Sequence, residues 1–191
     1  MKWRPEPGPP DGRIVHDSAR LLLRELNEHD AAFILELLNE PSFLRFIGDK
    51  GARTLEDARR YIADGPRASY AQNGFGLYLV QIRETGERIG ICGLVKREAL
   101  HDVDIGFAFL PAYWSKGYAL EASRVVMHLA RTRFHIPRVV AITSLDNECS
   151  MRLLRRIGLE FSRTMQLPGQ DAPVNLFVPR HAGADQDGLA H

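Results

Sequence analysis

The chain has 191 residues, with 25 Lys and Arg against 24 Asp and Glu, which gives a formal net charge of +1. This length suits one domain or two small ones, and a hydrophobic content of 45% excludes wholesale disorder. Near-zero net charge argues against a dedicated nucleic-acid-binding protein, so no nucleic-acid partner is expected. Cys92 and Cys149 are the two cysteines and form no CxxC motif. A disulfide scaffold and a cysteine zinc site are therefore not expected.

No targeting segment is predicted. The first residues lack the apolar core of a secretory signal, and nowhere do about 18 apolar residues run together, so we expect a cytoplasmic protein with no membrane partner. Residues 1–16 contain four prolines and two glycines, which predicts a mobile N-terminal arm. Residues 17–180 are predicted to form a single domain, and residues 181–191 a flexible C-terminal tail.

Strand and helix patterns alternate along the predicted domain. The first helix is expected to stop at Pro41, the second to start with a capping box at Thr54 and Asp57, and the last to end at Gly158. Predicted strands cover residues 19–26, 75–83, 88–96, 103–110, 138–144, 159–166 and 174–178, and predicted helices cover residues 30–39, 54–72, 118–134 and 147–157. The order β-α-α-β-β-β-α-β-α-β-β predicts an α/β fold with a mixed sheet and helices on both faces.

The stretch 109–122, FLPAYWSKGYALEA, carries the strongest local signal. A strand ends at a proline, a short loop crosses Gly117, and a helix begins at once. Main-chain N–H groups are unpaired at a helix N-terminus, where the helix dipole also favours an anion. Gly117 and Ala119 lack bulk, so a pyrophosphate could approach the main chain. The loop matches neither GxxxxGK[ST] nor GxGxxG, and from these residues alone a phosphate site and an ordinary turn are equally supported.

Three blocks in order resemble the GNAT-type N-acetyltransferases: DIGF at 104–107, YWSKGYALEA at 113–122, and NECS at 147–150 followed by Gly158. The sequence is most similar to the branch that acetylates ribosomal-protein N-termini. This resemblance implies a GNAT-like fold, with a mostly antiparallel central sheet and a splay between the fourth and fifth predicted strands. It also implies transfer of acetyl from acetyl-CoA to a primary amine, such as a protein N-terminus, by direct attack in a ternary complex.

The resemblance further implies where acetyl-CoA binds. The pantetheine arm would pair with the exposed edge of the strand that ends at Phe109, and the Phe109 N–H would face the thioester carbonyl and stabilise its oxyanion. Asn147 would hydrogen-bond the pantetheine arm, although helix capping is an equally supported role for it. The pyrophosphate would be held by the loop and helix start made of Trp114, Ser115, Lys116, Gly117, Tyr118 and Ala119.

Acid and base roles are also carried over from the family. Ser150 is the implied general acid; many relatives have a tyrosine at the position of Leu154. Asp104 is the implied general base, because the branch often has a Glu at that place. Asp102 lies two residues away, on the same face of a regular strand, and is an alternative base. A solvated acidic strand face is the competing interpretation for both carboxylates.

Other features are less specific. Phe43, Phe46 and Ile47 are expected either to line the acceptor site or to pack in the core. Cys149 is expected to pack. Arg152, Arg155 and Arg156 lie on one side of a predicted helix and are expected to form a solvated face or, through Arg156, to contact the CoA 3′-phosphate. No histidine spacing such as HExxH predicts a metal site.

The sequence leaves three questions open. The acceptor amine can belong to a protein or to a small molecule such as a polyamine. A CoA-binding sensor without turnover is a rival class of function, supported by the leucine at 154. The oligomeric state, homodimer included, is not determined by the sequence.

Overall fold

The computed structural model describes residues 12–169 and 172–180. Its strands are β1 (Ile14–Asp17), β2 (Leu21–Glu25), β3 (Leu77–Ile82), β4 (Arg88–Val95), β5 (Val103–Phe109), β6 (Val139–Ser144), β7 (Leu159–Met165) and β8 (Val174–Pro179). Its helices are α1 (Ala31–Asn39), α2 (Pro41–Phe46), α3 (Leu55–Ile62), α4 (Ala68–Asn73), α5 (Tyr118–Thr132) and α6 (Glu148–Arg156).

The eight strands form one mixed sheet in the order β1-β2-β3-β4-β5-β6-β8-β7. Neighbouring strands are antiparallel except β5 and β6, which run parallel. In the described residues, β5 pairs with β6 at two positions, Val103 with Val139 and Asp104 with Val140. Beyond Asp104 the two strands diverge. The predicted mostly antiparallel sheet, with its splay between these two strands, is confirmed.

Helices cover both faces of the sheet. On one face, α5 and α6 contribute Val126 and Leu154 to a core with β-strand residues such as Phe177. On the other face, α1 and α3 pack Ile34 and Ile62 against side chains of β3 and β4. Each helix has its apolar residues on one side, which is why both faces of the sheet are buried. No helix in the described ranges has the length and apolar content needed to cross a membrane.

The prediction of a mobile arm over residues 1–16 is wrong at its C-terminal end. Residues Ile14–Asp17 form β1, which pairs antiparallel with β2, and Val15 packs against the core. The pairing partner is supplied by the following strand, so the proline-rich composition of the preceding residues does not decide the structure here. The rest of the arm, residues 1–11, and the predicted tail at 181–191 lie outside the described residues.

The region between α1 and β3 differs from the prediction in two places. Pro41 does not only end α1; it is the first residue of α2, a position where its missing N–H costs nothing. The single helix predicted over 54–72 is divided into α3 and α4 by a π-helical turn at Ala63–Arg67 that contains Pro66. The capping box at its start is confirmed, since Thr54 and Asp57 each accept the other's backbone N–H.

Candidate active site

The main chain of β5 is open on the side where β6 diverges. Leu110 N donates to Ile89 O over 3.0 Å, so Phe109 and its partner Gly90 face each other without exchanging hydrogen bonds. The same alternation applies two residues earlier, at Phe107. The N–H and C=O groups of Phe107 and Phe109 therefore point away from β4 into the space between β5 and β6. We call this space the β5–β6 gap.

Side chains of β5 alternate between the two faces of the sheet. Phe107 and Phe109 pack with the core beneath α5 and α6, whereas Ala108 packs with the core beneath α1 and α3. The side chain of Asp104 lies on the same face of the sheet as that of Ala108, because the two residues are four positions apart in β5. A cleft of about 1480 Å³ runs through the gap and is open to both faces. Two molecules can therefore approach the gap from opposite faces of the sheet.

The loop before α5 presents unpaired backbone donors at one end of the cleft. Gly117 is the N-cap residue of α5, with φ +82°, and no side chain caps this helix terminus. The first-turn N–H groups of Tyr118 and Ala119 thus have no capping partner. Ser115 also has a positive φ of 60°, which curves the loop. A Cβ added at Gly117 would lie 3.3 Å from an Arg20 nitrogen.

Arg20, which the sequence analysis did not identify, fixes this loop. Its Nη1 donates to Lys116 O over 3.1 Å, and its Nε donates to the carboxylate of Glu121 over 2.7 Å. Glu121 lies in the first turn of α5, where its charge would oppose a bound anion. Partial burial raises the Glu121 pKa, but hydrogen bonds from Arg20 and Ser18 outweigh burial and leave the pKa lowered. The carboxylate is thus ionised and already partnered by a cation.

Most of the predicted cofactor-binding residues line the cleft: Trp114, Ser115, Gly117, Tyr118 and Ala119. Trp114 Nε1 donates to Phe109 O over 2.8 Å, so the indole ties the loop to the end of β5. Lys116 does not line the cleft with the others, and its Nζ lies 5.4 Å from the centre of the Tyr113 ring.

The start of α6 forms another part of the cleft wall. Asn147 caps this helix, since its Oδ1 accepts from Ser150 N over 3.1 Å, and both residues line the cleft. The expectation that Cys149 packs is wrong: its side chain is exposed, with an Arg152 nitrogen 3.2 Å from its sulfur. Leu154 is fully buried in the core.

Asp104 is enclosed at the closed end of the gap. It is 1% exposed, and both carboxylate oxygens accept from Arg97 Nε, at 3.0 and 3.2 Å. Burial raises the Asp104 pKa, and the charge and hydrogen bonds of Arg97 oppose that rise only in part. A carboxyl group with a raised pKa is a better proton acceptor than an ordinary aspartate.

Asp102, the alternative base, lies outside the cleft. It precedes β5, is absent from the cleft lining, and pairs with Arg138 Nε at 3.0 Å. β5 begins at Val103, so Asp102 lies outside the strand, beside Arg138, which directly precedes β6. Among these two carboxylates, only that of Asp104 reaches the cleft.

Helix α2 forms the wall of the cleft on the face of Asp104. Phe43, Phe46 and Ile47 all line the cleft; Phe43 is buried and Ile47 is 45% exposed. Arg45 spans the opening to Asp146, before α6, at 2.8 Å. Phe43 thus both packs in the core and lines the cleft, whereas Phe46 and Ile47 belong to the cleft wall.

Known proteins share the sequence pattern and the fold of this chain. The sequence profile described as Acetyltransferase (GNAT) domain matches residues 20–160. The chain belongs to the GNAT acetyltransferase family. It is 26% identical over 147 residues to an uncharacterized N-acetyltransferase, YoaA of Bacillus subtilis, covering 76% of this chain and 82% of YoaA. A protein of this family is an acetyltransferase, and the GNAT fold binds acetyl-CoA or CoA.

Solved GNAT structures share the fold. RimL, a ribosomal L7/L12 alpha-N-protein acetyltransferase, superposes in its apo form with a TM-score of 0.73 and 20% identity, covering 87% of this chain and 93% of RimL. RimL in complex with coenzyme A superposes at 0.68 with 19% identity, covering 87% and 97%. A chimera of spermidine N-acetyltransferase SpeG from Vibrio cholerae superposes at 0.67 with 15% identity, covering 85% and 95%. These identities establish a common fold and leave the acceptor unassigned.

The cleft of this GNAT protein has groups that suit the pyrophosphate and the pantetheine arm of CoA. Uncapped N–H groups at the start of α5 suit a pyrophosphate, and the unpaired edge of β5 suits an extended amide-containing chain. The distance between them is spanned by one continuous cleft. Both groups line the same cleft, with the start of α5 lying beyond the end of β5.

Replacing Arg97 by glutamine is expected to raise the pKa of Asp104 further. The arginine favours the charged carboxylate, so its loss leaves burial unopposed and stabilises the neutral acid. Carbon-13 NMR titration of the side-chain carboxyl, assigned with Asp104→Asn, measures the pKa directly. In an enzyme that uses Asp104 as its base, the acid limb of kcat/KM against pH moves upward by the same amount.

Arg138→Gln is the matched control for this prediction. It removes an arginine from Asp102, whose carboxylate lies outside the cleft. The Asp104 titration should be unchanged in that variant. An unchanged Asp104 titration in Arg97→Gln would show that Arg97 does not set this pKa.

Proposed function

We propose that this chain is an N-acetyltransferase that moves the acetyl group of acetyl-CoA to an α-amine, with a protein or peptide N-terminus as acceptor. The observation that carries the proposal is the β5–β6 gap, which leads from the uncapped start of α5 to the enclosed Asp104. Acetyl-CoA would enter from the α5–α6 face and the amine from the α1–α3 face.

Residues of this chain would hold the donor at three places. The N–H groups at the start of α5 would bind the pyrophosphate, and the open edge of β5 would pair with the pantetheine arm. The Asn147 side chain, whose oxygen caps α6, keeps its NH₂ group for the same arm. Bound acetyl-CoA supplies an activated acetyl group.

Asp104 would take the proton of the amine. At pH 7, neutralising an α-ammonium group of pKa about 8 costs about 1.4 kcal/mol, against about 4.6 kcal/mol for a lysine side chain of pKa about 10.4. Asp104 is a buried carboxylate already paired with Arg97. Such a base suits the deprotonation that costs less free energy, which favours an α-amine over a lysine side chain.

Backbone and hydroxyl groups would complete the site. The N–H groups of Phe109 and, deeper in the gap, Phe107 point to where a donor to the developing oxyanion belongs, and one such donor is typically worth about 3–4 kcal/mol. Trp114 Nε1 donates to the Phe109 carbonyl, which belongs to the next peptide, and so holds the end of β5 beside the loop. Ser150 lies on the α6 side of the cleft and would protonate the departing thiolate.

Calorimetric titration with acetyl-CoA, CoA, ATP and NAD tests the donor. We expect micromolar binding of both CoA species and none of ATP or NAD. A protein that binds neither CoA species does not have the proposed function. Binding without any consumption of acetyl-CoA, with every amine offered, would instead support a sensor.

A three-way acceptor comparison tests the α-amine. The acceptors are a peptide with a free N-terminus and no lysine, the same peptide N-terminally blocked and carrying one lysine, and spermidine. Transfer to the first alone is expected. Transfer to spermidine alone would overturn the α-amine assignment and keep acetyl transfer.

A further inference from the structure

Thr143 on β6 has a buried hydroxyl that the protein does not use. Its Oγ1 has no hydrogen-bond partner within residues 12–169 and 172–180, and the residue is 8% exposed. A buried hydroxyl without a partner costs free energy, because it has given up its hydrogen bonds to water. An unused polar group of this kind indicates a bond that forms with something other than the protein.

Neighbouring side chains do not provide that bond. The cross-strand partner of Thr143 is Asn175 on β8. The Asn175 oxygen accepts from Thr164 over 3.0 Å, and its nitrogen lies 3.6 Å from the sulfur of Met151. The amide of Asn175 is thus engaged on both sides.

The strand register places Thr143 at the gap. β5 and β6 pair Val103 with Val139 and Asp104 with Val140, and the same offset brings Phe107 level with Thr143. The two strands have already diverged there, and both residues line the cleft. Thr143 shares the face of Ala141, which packs in the core beneath α5 and α6. It therefore lies on the face from which the donor would enter.

The position of Thr143 along the gap determines which part of CoA it would contact. The start of α5 follows the open end of β5, beyond Phe109, whereas Thr143 is level with a residue deeper in the gap. A ligand with its phosphates at Gly117 and its chain along β5 would bring its far end to Thr143.

Resting on the proposed function, we propose that the Thr143 hydroxyl hydrogen-bonds the thiol-bearing end of CoA in the β5–β6 gap. Oγ1 is enclosed in the unliganded protein, so the bond forms with a turn about the Cα–Cβ bond that brings the hydroxyl toward the gap. The ligand then satisfies a group that the protein leaves without a partner. Thr143 acts in binding the donor and transfers no proton.

Thr143→Val tests this role, because valine keeps the shape and removes the hydroxyl. Calorimetry would compare CoA with 3′-phosphoadenosine 5′-diphosphate, which has the phosphates and lacks the pantetheine arm. We expect CoA affinity to fall about tenfold and affinity for the diphosphate to be unchanged. The melting temperature of the unliganded protein should stay the same or rise, since an unpaired buried hydroxyl has been removed. Thr143→Ser keeps the hydroxyl and should retain most of the CoA affinity.

Each other outcome overturns the proposal. Equal CoA affinity in wild type and Thr143→Val would show that the hydroxyl does not contact the donor, leaving the proposed function intact. Loss of affinity for both ligands, or a lower melting temperature without ligand, would show a structural role. A wild-type protein that binds no CoA would remove this proposal together with the proposed function.

Discussion

Asp30→Asn is expected to lower the free energy of unfolding by about 3–5 kcal/mol. Asp30 is 0% exposed and accepts two hydrogen bonds from Arg24, at 2.7 and 2.8 Å, with Arg88 Nε at 3.2 Å. Arg24 itself is 2% exposed. An asparagine cannot neutralise this buried guanidinium, and its NH₂ group would face N–H donors. Urea denaturation measures the loss as a lower midpoint with an unchanged slope.

Asp49→Asn is the matched control for that measurement. Asp49 is also paired with an arginine, Arg53, but both side chains are more than half exposed. Solvent screens such a pair, so the midpoint should barely move. Equal effects of the two substitutions would show that burial does not make the Asp30 pair special.

The Asp30 pair also matters for the site. Its residues join β2 to the turn that leads into α1, and α1 leads directly into α2. The positions of Phe46 and Ile47, which line the cleft on the face of Asp104, thus depend on where α1 is held. Loss of the Arg24–Asp30 pair would therefore disturb the cleft wall formed by α2. The loop before α5 would be less affected, because Arg20 holds it separately.

Local sequence signals predicted the elements whose causes are local. The capping box at Thr54 was recognisable because both of its partners lie within one turn. β1 was missed because its order comes from pairing with β2, and its four residues directly follow a proline-rich stretch. α2 was missed because Pro41 is compatible with the end of one helix and with the first residue of the next.

The same distinction applies to the site. Gly117 and the helix start after it were predicted from adjacent residues, and the structure gives Gly117 the positive φ that favours glycine. Arg20 acts on Lys116 from 96 residues away, so no spacing rule could connect them. Arg97 and Thr143 are likewise defined by where other elements place them. The hydrogen bonds of Arg97, and the lack of one for the Thr143 hydroxyl among the described residues, appear only in the folded chain.

Gly117→Asp is expected to weaken acetyl-CoA binding about 100-fold. A carboxylate there would lie beside Arg20 at the N-terminus of α5, within several ångströms of any pyrophosphate bound to the uncapped N–H groups. Two unit charges 4 Å apart near a protein surface repel by about 4 kcal/mol, and a tenfold change in affinity corresponds to about 1.4 kcal/mol. Calorimetry with acetyl-CoA measures the change.

Two control variants separate charge from shape and strain. Gly117→Asn has the same size and, like aspartate, tolerates a positive φ, so it should lose much less affinity. Gly86→Asp carries the same charge at φ +72°, in the turn between β3 and β4 and outside the cleft lining. It should bind acetyl-CoA as the wild type does, although either backbone position costs about 1 kcal/mol of stability. If Gly117→Asp bound acetyl-CoA as tightly as Gly86→Asp, the start of α5 would not be the pyrophosphate site, because no bound anion tolerates a carboxylate in its own binding position.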